Sequence, residues 1–250
     1  MELDTTFFLF AVPAVLFAAI SRSGFAPGAA FAASPFLALV LDPAHAVGVM
    51  LPLLMFMDLI ALRPYWRRWS WPDARLLMFG AMPGIGAGAF LFGRAGADTI
   101  RLSIGIIALG FVAFTLARRA RYLVQRKPRG GPLPALLWGA LAGFTSFVSH
   151  AGGPPAFMYL LGRRLDKTTF QATAVIVFWW VNLVKFGPYV ALGMFTRETL
   201  VANIWLAPVA AAGVFVGVRA HGVLSQGTYF GLTYTFLTLT GAKLIWDGLT

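Results

Sequence analysis

Thr145-Ser-Phe-Val-Ser-His-Ala-Gly-Gly-Pro-Pro155 breaks an otherwise apolar run with hydroxyls, a histidine and four consecutive glycines and prolines. The nine residues from Pro154 to Gly162 would rise only about 13 Å as a helix, against a hydrocarbon core of about 30 Å. They cannot cross a bilayer alone. A polar, non-helical break at membrane depth is tolerated only inside protein or beside a wet cavity. This break therefore predicts a broken or re-entrant helix pair at the heart of a polytopic bundle.

The break has a counterpart in Ser21-Arg22-Ser23-Gly24-Phe25-Ala26-Pro27-Gly28. An offset of 124 superposes Gly28 on Gly152, Leu37 on Leu161, Asp42 on Asp166, Asp58 on Asn182, Pro64 on Pro188 and Tyr65 on Tyr189. One inserted residue later, Pro83 meets Pro208, Gly88 meets Gly213 and Arg94 meets Arg219. Gly/Pro-interrupted segments at corresponding places in two halves are how a secondary transporter is written in sequence. The expected organisation is an N-terminal repeat over 1–117, a basic linker over 118–132 and a C-terminal repeat over 133–250.

Composition agrees. Hydrophobic residues make up 59% of the 250-residue chain and charged residues 12%, about half the charge of a soluble domain. Apolar segments run over 5–21, 28–41, 46–62, 75–93, 99–117, 133–149, 154–162, 170–192, 200–218 and 227–246, five to each half. The fold class expected is all-α. The first run resembles a signal-peptide core in length, but Glu2 and Asp4 stand where a positive n-region belongs, so it is read as retained.

The net charge of +11 would suggest nucleic acid in a soluble protein. Here the basic residues sit between apolar runs and are read as positive-inside topology, with no nucleic-acid partner. Placing Arg63, Arg67, Arg68, Arg75, the 118–129 cluster, Arg163, Arg164, Lys167 and Arg219 in the cytoplasm puts both termini outside. The broken pair adds an even number of crossings to three spans, so the two halves must be inverted. Trp66, Trp69 and Trp71 are expected as interfacial anchors, and Gly80, Gly84, Gly88, Gly139 and Gly143 as close-packing faces. With no cysteine, disulfides and thiolate metal sites are excluded.

Arg22 and Lys185 are the two basic residues left inside apolar segments. Such charges face the protein interior and serve an ion path or pair with another charge. Asp58, Asn182 and Lys185 form one expected polar centre, with Tyr189 a turn further on and Lys185–Asp58 pairing as its structural alternative. A helix starting at Pro154 or Pro155 is suited to an anion. The candidate substrate-binding set is Arg22, Ser23, Gly24, Ser149, His150, Gly152, Gly153, Asn182, Lys185 and Tyr189, with His150 and Asp58 as proton carriers. Adjacent Ser149 and His150 point apart on a helix, so no enzyme is read from them. Two acidic residues near the centre line, Asp42 and Asp58, disfavour a metal.

The stretch Ser149-His-Ala-Gly-Gly-Pro-Pro155, with Tyr159-Leu-Leu161, Lys167, Phe170, Thr173, Asn182, Lys185, Pro188-Tyr189, Gly193 and Phe195, resembles the sulfite exporter TauE/SafE family. The first-half motif departs from it in having fewer glycines and an added Arg22. The resemblance implies an inner-membrane permease exporting sulfite or a small organosulfonate, driven by an ion gradient, with no cofactor. Its partners would be the anionic substrate and the lipid bilayer, and a homodimer is left open. Transport of another small solute, and a non-transporting membrane scaffold, are the competing expectations.

Overall fold

The computed structural model describes residues 3–24, 32–119, 131–163, 165–220 and 226–250. Ten helices follow in order: α1 (Thr5–Gly24), α2 (Ala33–Leu37), α3 (Pro43–Leu62), α4 (Trp71–Arg94), α5 (Ala97–Arg119), α6 (Pro132–Ser149), α7 (Gly153–Leu161), α8 (Lys167–Ala191), α9 (Arg197–Ala220) and α10 (Gln226–Leu249). They fall on the ten apolar runs. The second is the least like its expectation, because α2 has five residues and Phe25, Ala26, Pro27 and Gly28 lie outside the described residues. Among the described residues, seven helices, α1, α3, α4, α5, α6, α8 and α9, are long and apolar enough to cross a membrane. Helices are what the bilayer demands, since each backbone N–H and C=O must find its partner within the segment. Large apolar side chains stand on the outside of the bundle, among them Phe79, Ile204 and Trp205, where lipid replaces water.

Matching local contacts recur in the two halves. Asp42 caps α3, accepting from the Ala44 N–H at 2.9 Å with Pro43 in the first turn. Its counterpart Asp166 caps α8, accepting from Thr168 and Thr169 N–H at 3.0 and 3.1 Å. Hydrogen bonds from Thr169 above all hold its carboxyl below the ordinary carboxylate range. At the other ends, Arg94 lies 4.0 Å over the Phe90 ring and Arg219 4.0 Å over Phe215, the same cation–π pair at an offset of 125.

Glycines set how the long helices touch. A Cβ on Gly84 would stand 1.9 Å from the Ala140 carbonyl oxygen, one on Gly80 2.5 Å from that of Leu136, and one on Gly143 2.2 Å from that of Ala81. Thus α4 and α6 pack backbone to backbone, running in the same direction. Gly213 and Gly217 do the same for α9 against α1, meeting Ala19 and Ser23. Gly105 faces Gly241 while Gly248 faces Asp98, so α5 and α10 are antiparallel. Gly48 faces Met194, and Asp58 meets Asn182, so α3 and α8 are antiparallel as well. Exchanging the halves converts the α1–α9 pairing into α6–α4 and α3–α9 into α8–α4, and maps α5–α10 and α3–α8 onto themselves.

Both short helices turn back. Phe36 of α2 meets Phe10 of α1, and by Val40–Asp42 the chain lines a cleft with Asp4 and Thr6, level with its start. In the second half, Gly152 lies against Ala142 and Ser146 of α6. By Tyr159 and Arg163 the chain has returned to the first turn of α4. There Asp73 accepts from the Tyr159 hydroxyl at 2.8 Å, from Arg163 Nε at 2.6 Å and from the Ser70 hydroxyl at 2.7 Å. Both pairs therefore return to the end from which they start, and those ends are opposite ends of the bundle.

Gly84→Ala is expected to force α4 from α6 and cost about 1–3 kcal/mol or more. Gly86→Ala, with nothing within 4 Å of its added Cβ, should be neutral or stabilising by up to about 1 kcal/mol. Thermal unfolding in detergent compares the two.

Candidate functional site

The last turn of α1 and the end of α6 both reach α3 and α8. The last turn of α1 brings Arg22, which is 7% exposed; α3 brings Asp58, at 0%; α8 brings Asn182 and Lys185, at 2% and 0%. From α6 come Ser146 and the terminal residue His150, which closes the helix in the left-handed region with φ 56°. That conformation ordinarily favours glycine. A histidine occupies it here with its imidazole directed into the centre.

Arg22 forks onto Asp58: Nε donates to Oδ1, and Nη2 to Oδ2 at 2.6 Å. Asn182 Nδ2 donates to the same Oδ2 at 2.9 Å. The repeat counterparts Asp58 and Asn182 therefore touch each other, as residues near a pseudo-twofold axis should. Behind Arg22, the ring of Phe178 lies 5.7 Å from the guanidinium.

Lys185 does not pair with Asp58, the alternative left open by the sequence. Its ammonium donates to the Ser146 carbonyl at 2.9 Å, the Ser146 hydroxyl at 3.0 Å and His150 Nδ1 at 2.8 Å. His150 Nε2 is 3.0 Å from the Val47 carbonyl. A carbonyl can only accept, so Nε2 carries the proton, Nδ1 is the acceptor for Lys185, and the imidazole is neutral. Lys185 Nζ thus meets only uncharged partners, while the carboxylate of Asp58 is taken by Arg22.

The other expected residues lie around this centre. The Tyr189 hydroxyl donates to the Phe147 carbonyl at 2.6 Å. Ser23 donates to the carbonyls of Ala19 and Val214 at 2.7 and 3.1 Å, pinning α1 to α9. The Ser149 hydroxyl donates to Thr145 O at 3.3 Å and does not meet the imidazole next to it in sequence. Gly24 ends α1. Gly152 is needed for packing: a Cβ there would lie 2.7 Å from Ala142 O, 2.8 Å from Ser146 Cβ and 2.9 Å from the Phe178 ring. Gly153 opens α7, but Pro154 and Pro155 carry no N–H. That helix start offers fewer donors than its glycines suggest, although it adjoins Ser146 and hence Lys185.

Two contributors were not singled out from the sequence. Ser146 is the offset-124 counterpart of Arg22, so each hairpin sends one polar residue inward from the same position. Gln171 Nε2 donates to the Arg22 carbonyl at 3.1 Å, and Gln171 is the counterpart of Val47, whose carbonyl receives His150. Each hairpin tip thus docks at the equivalent point of the other half's long helix. Applying the offset to Arg22 and Val47 would have found both residues.

Among known proteins, the family model described as Sulfite exporter TauE/SafE matches residues 11–244. The chain belongs to that family, whose members are membrane transporters. No curated protein and no solved structure matches it.

Removing one partner of a buried ion pair costs about 3–5 kcal/mol, because the other charge is left uncompensated. Arg22→Met and Asp58→Leu should each destabilise by that amount, and the double variant should recover most of it. An Asp58/Lys185 cycle should show much weaker coupling. Chemical unfolding of the four proteins in each cycle reads this directly.

Proposed function

We propose that this TauE/SafE-family transporter carries a small sulfur oxyanion, sulfite or an organosulfonate, outward across the inner membrane by alternating access. The observation that carries the reading is Lys185. A buried ammonium with no carboxylate partner is expensive, by several kcal/mol, and a site that keeps it is poised for an anion. Arg22, Asn182 and the hydroxyl of Ser146 stand beside it and supply the donors a tetrahedral or pyramidal oxyanion accepts.

The architecture supports the movement. Counterparts α3 and α8, and α5 and α10, run antiparallel, and the two hairpins open at opposite ends, as an inverted repeat requires. Rocking one half against the other around the hairpin tips would expose the centre to each face in turn. The basic loops set the orientation, with both termini on the periplasmic side and the Arg63–Arg75 stretch in the cytoplasm.

A ligand that binds only the folded state raises apparent stability by mass action. Detergent-purified protein should be stabilised by sulfite or methanesulfonate and not by acetate or divalent metals. Lys185→Met should lose that shift, with apparent affinity falling about 10–100-fold for the loss of one charged hydrogen bond worth about 1.5–3 kcal/mol. A panel without any anion-selective shift would move the weight to a structural polar centre.

A further inference from the structure

The carboxylate of Asp58 is held as a bound substrate anion would be. Its two oxygens take a forked guanidinium from α1 and a carboxamide from α8, and it is fully buried. A sulfonate or sulfite oxygen pair presents the same acceptor edge as a carboxylate, and the Arg fork is the side-chain geometry that matches it. The donors also come from two elements that are not Asp58's own, so the seat is built between the halves. The repeat makes the asymmetry plain: where α3 supplies Asp58, the matching position of α8 supplies the uncharged Asn182. One side of the pseudo-axis carries the charge and the other only reads it.

We infer that Asp58 is an internal stand-in for the substrate: it occupies the Arg22–Asn182 seat in the closed state and is displaced from it, protonated, when the anion binds. This rests on the anion reading above. The balance is simple. A proton from water on the open face forms an O–H bond on the Asp58 carboxyl, and the incoming oxyanion takes the two Arg22 hydrogen bonds and the one from Asn182. One negative charge replaces another against Arg22, so entry of the anion with its proton leaves the net charge of the centre unchanged. When the anion leaves, Asp58 returns its proton to water and closes on Arg22.

The groups that face this exchange are Arg22 on α1, Asn182 and Lys185 on α8 and His150 at the end of α6. The charged residues of α5 and α9 sit towards their ends, at Asp98, Arg101, Arg197, Glu198 and Arg219 among the described side chains. His150 has both ring nitrogens engaged, by Val47 and Lys185. Asp58 is thus the group that gains the proton.

The test uses the whole protein in detergent and methanesulfonate as the probe, because that anion keeps a single charge across the working range. With one proton taken up per anion, wild-type apparent affinity should weaken about tenfold per unit as pH rises through the range where Asp58 is ionised. Asp58→Asn should bind methanesulfonate at least as tightly as wild type, with no such slope. In weakly buffered wild type, an indicator dye should record about one proton taken up per anion bound, and a folded Asp58→Asn protein should take up none. The proton count needs no variant and stands even if Asp58→Asn fails to fold. Binding by wild type with no proton uptake, or weaker binding by a folded Asp58→Asn protein, would overturn the inference while leaving the anion site intact. Absence of binding to methanesulfonate and sulfite by every folded variant and wild type would sink the anion reading and this inference with it.

Discussion

Placing a guanidinium, a carboxylate and an ammonium in the middle of an apolar bundle is the constraint on which the rest of the structure depends. None of the three can be left unsatisfied away from water. The chain answers by breaking two helices, so that polar tips can reach the middle from opposite ends, and by packing the long helices closely enough to exclude water. Gly80, Gly84 and Gly143 on one side and Gly213 and Gly217 on the other allow that approach. The left-handed His150 is part of the same answer: a helix must stop at that residue, and its side chain must span from Lys185 to Val47.

The fold was legible because the hydrocarbon leaves few choices. Ten apolar runs became ten helices, and the shortness of the Pro154–Gly162 run was enough to require a hairpin. The repeat offset carried further than periodicity could: Asp42 and Asp166 proved to be equivalent caps, and Asp58 and Asn182 proved to touch. The offset does not carry everywhere, since Pro64 and Tyr65 lie in the turn after α3 whereas Pro188 and Tyr189 lie inside α8. Ser146 and Gln171 were passed over because serine and glutamine at a helix face carry no charge to draw attention. Their counterparts Arg22 and Val47 mark them.

Partner choice was not legible. The sequence left Asp58 open to Lys185, a turn from Asn182, yet Arg22 from a helix 36 residues earlier takes the carboxylate. Spacing along α8 fixes which face Lys185 shares with Asn182 but not how far its stem extends, and Ser146 and His150 intercept the ammonium first. Gly152 and Gly153 illustrate the same limit. They suggested exposed backbone donors, whereas close packing against Ala142, Ser146 and Phe178 accounts for Gly152, and two prolines remove the donors that follow.

Alternating access as proposed requires the buried centre to face each side of the membrane in turn. The absence of native cysteine makes that directly measurable. Ser149→Cys, at a position 1% exposed in this structure, can be challenged with a membrane-impermeant thiol reagent from either face of sealed vesicles. Labelling from both faces, altered by methanesulfonate, is the predicted result. A thiol that stays unreactive from both sides, with and without the anion, in a folded protein would contradict alternating access at this centre.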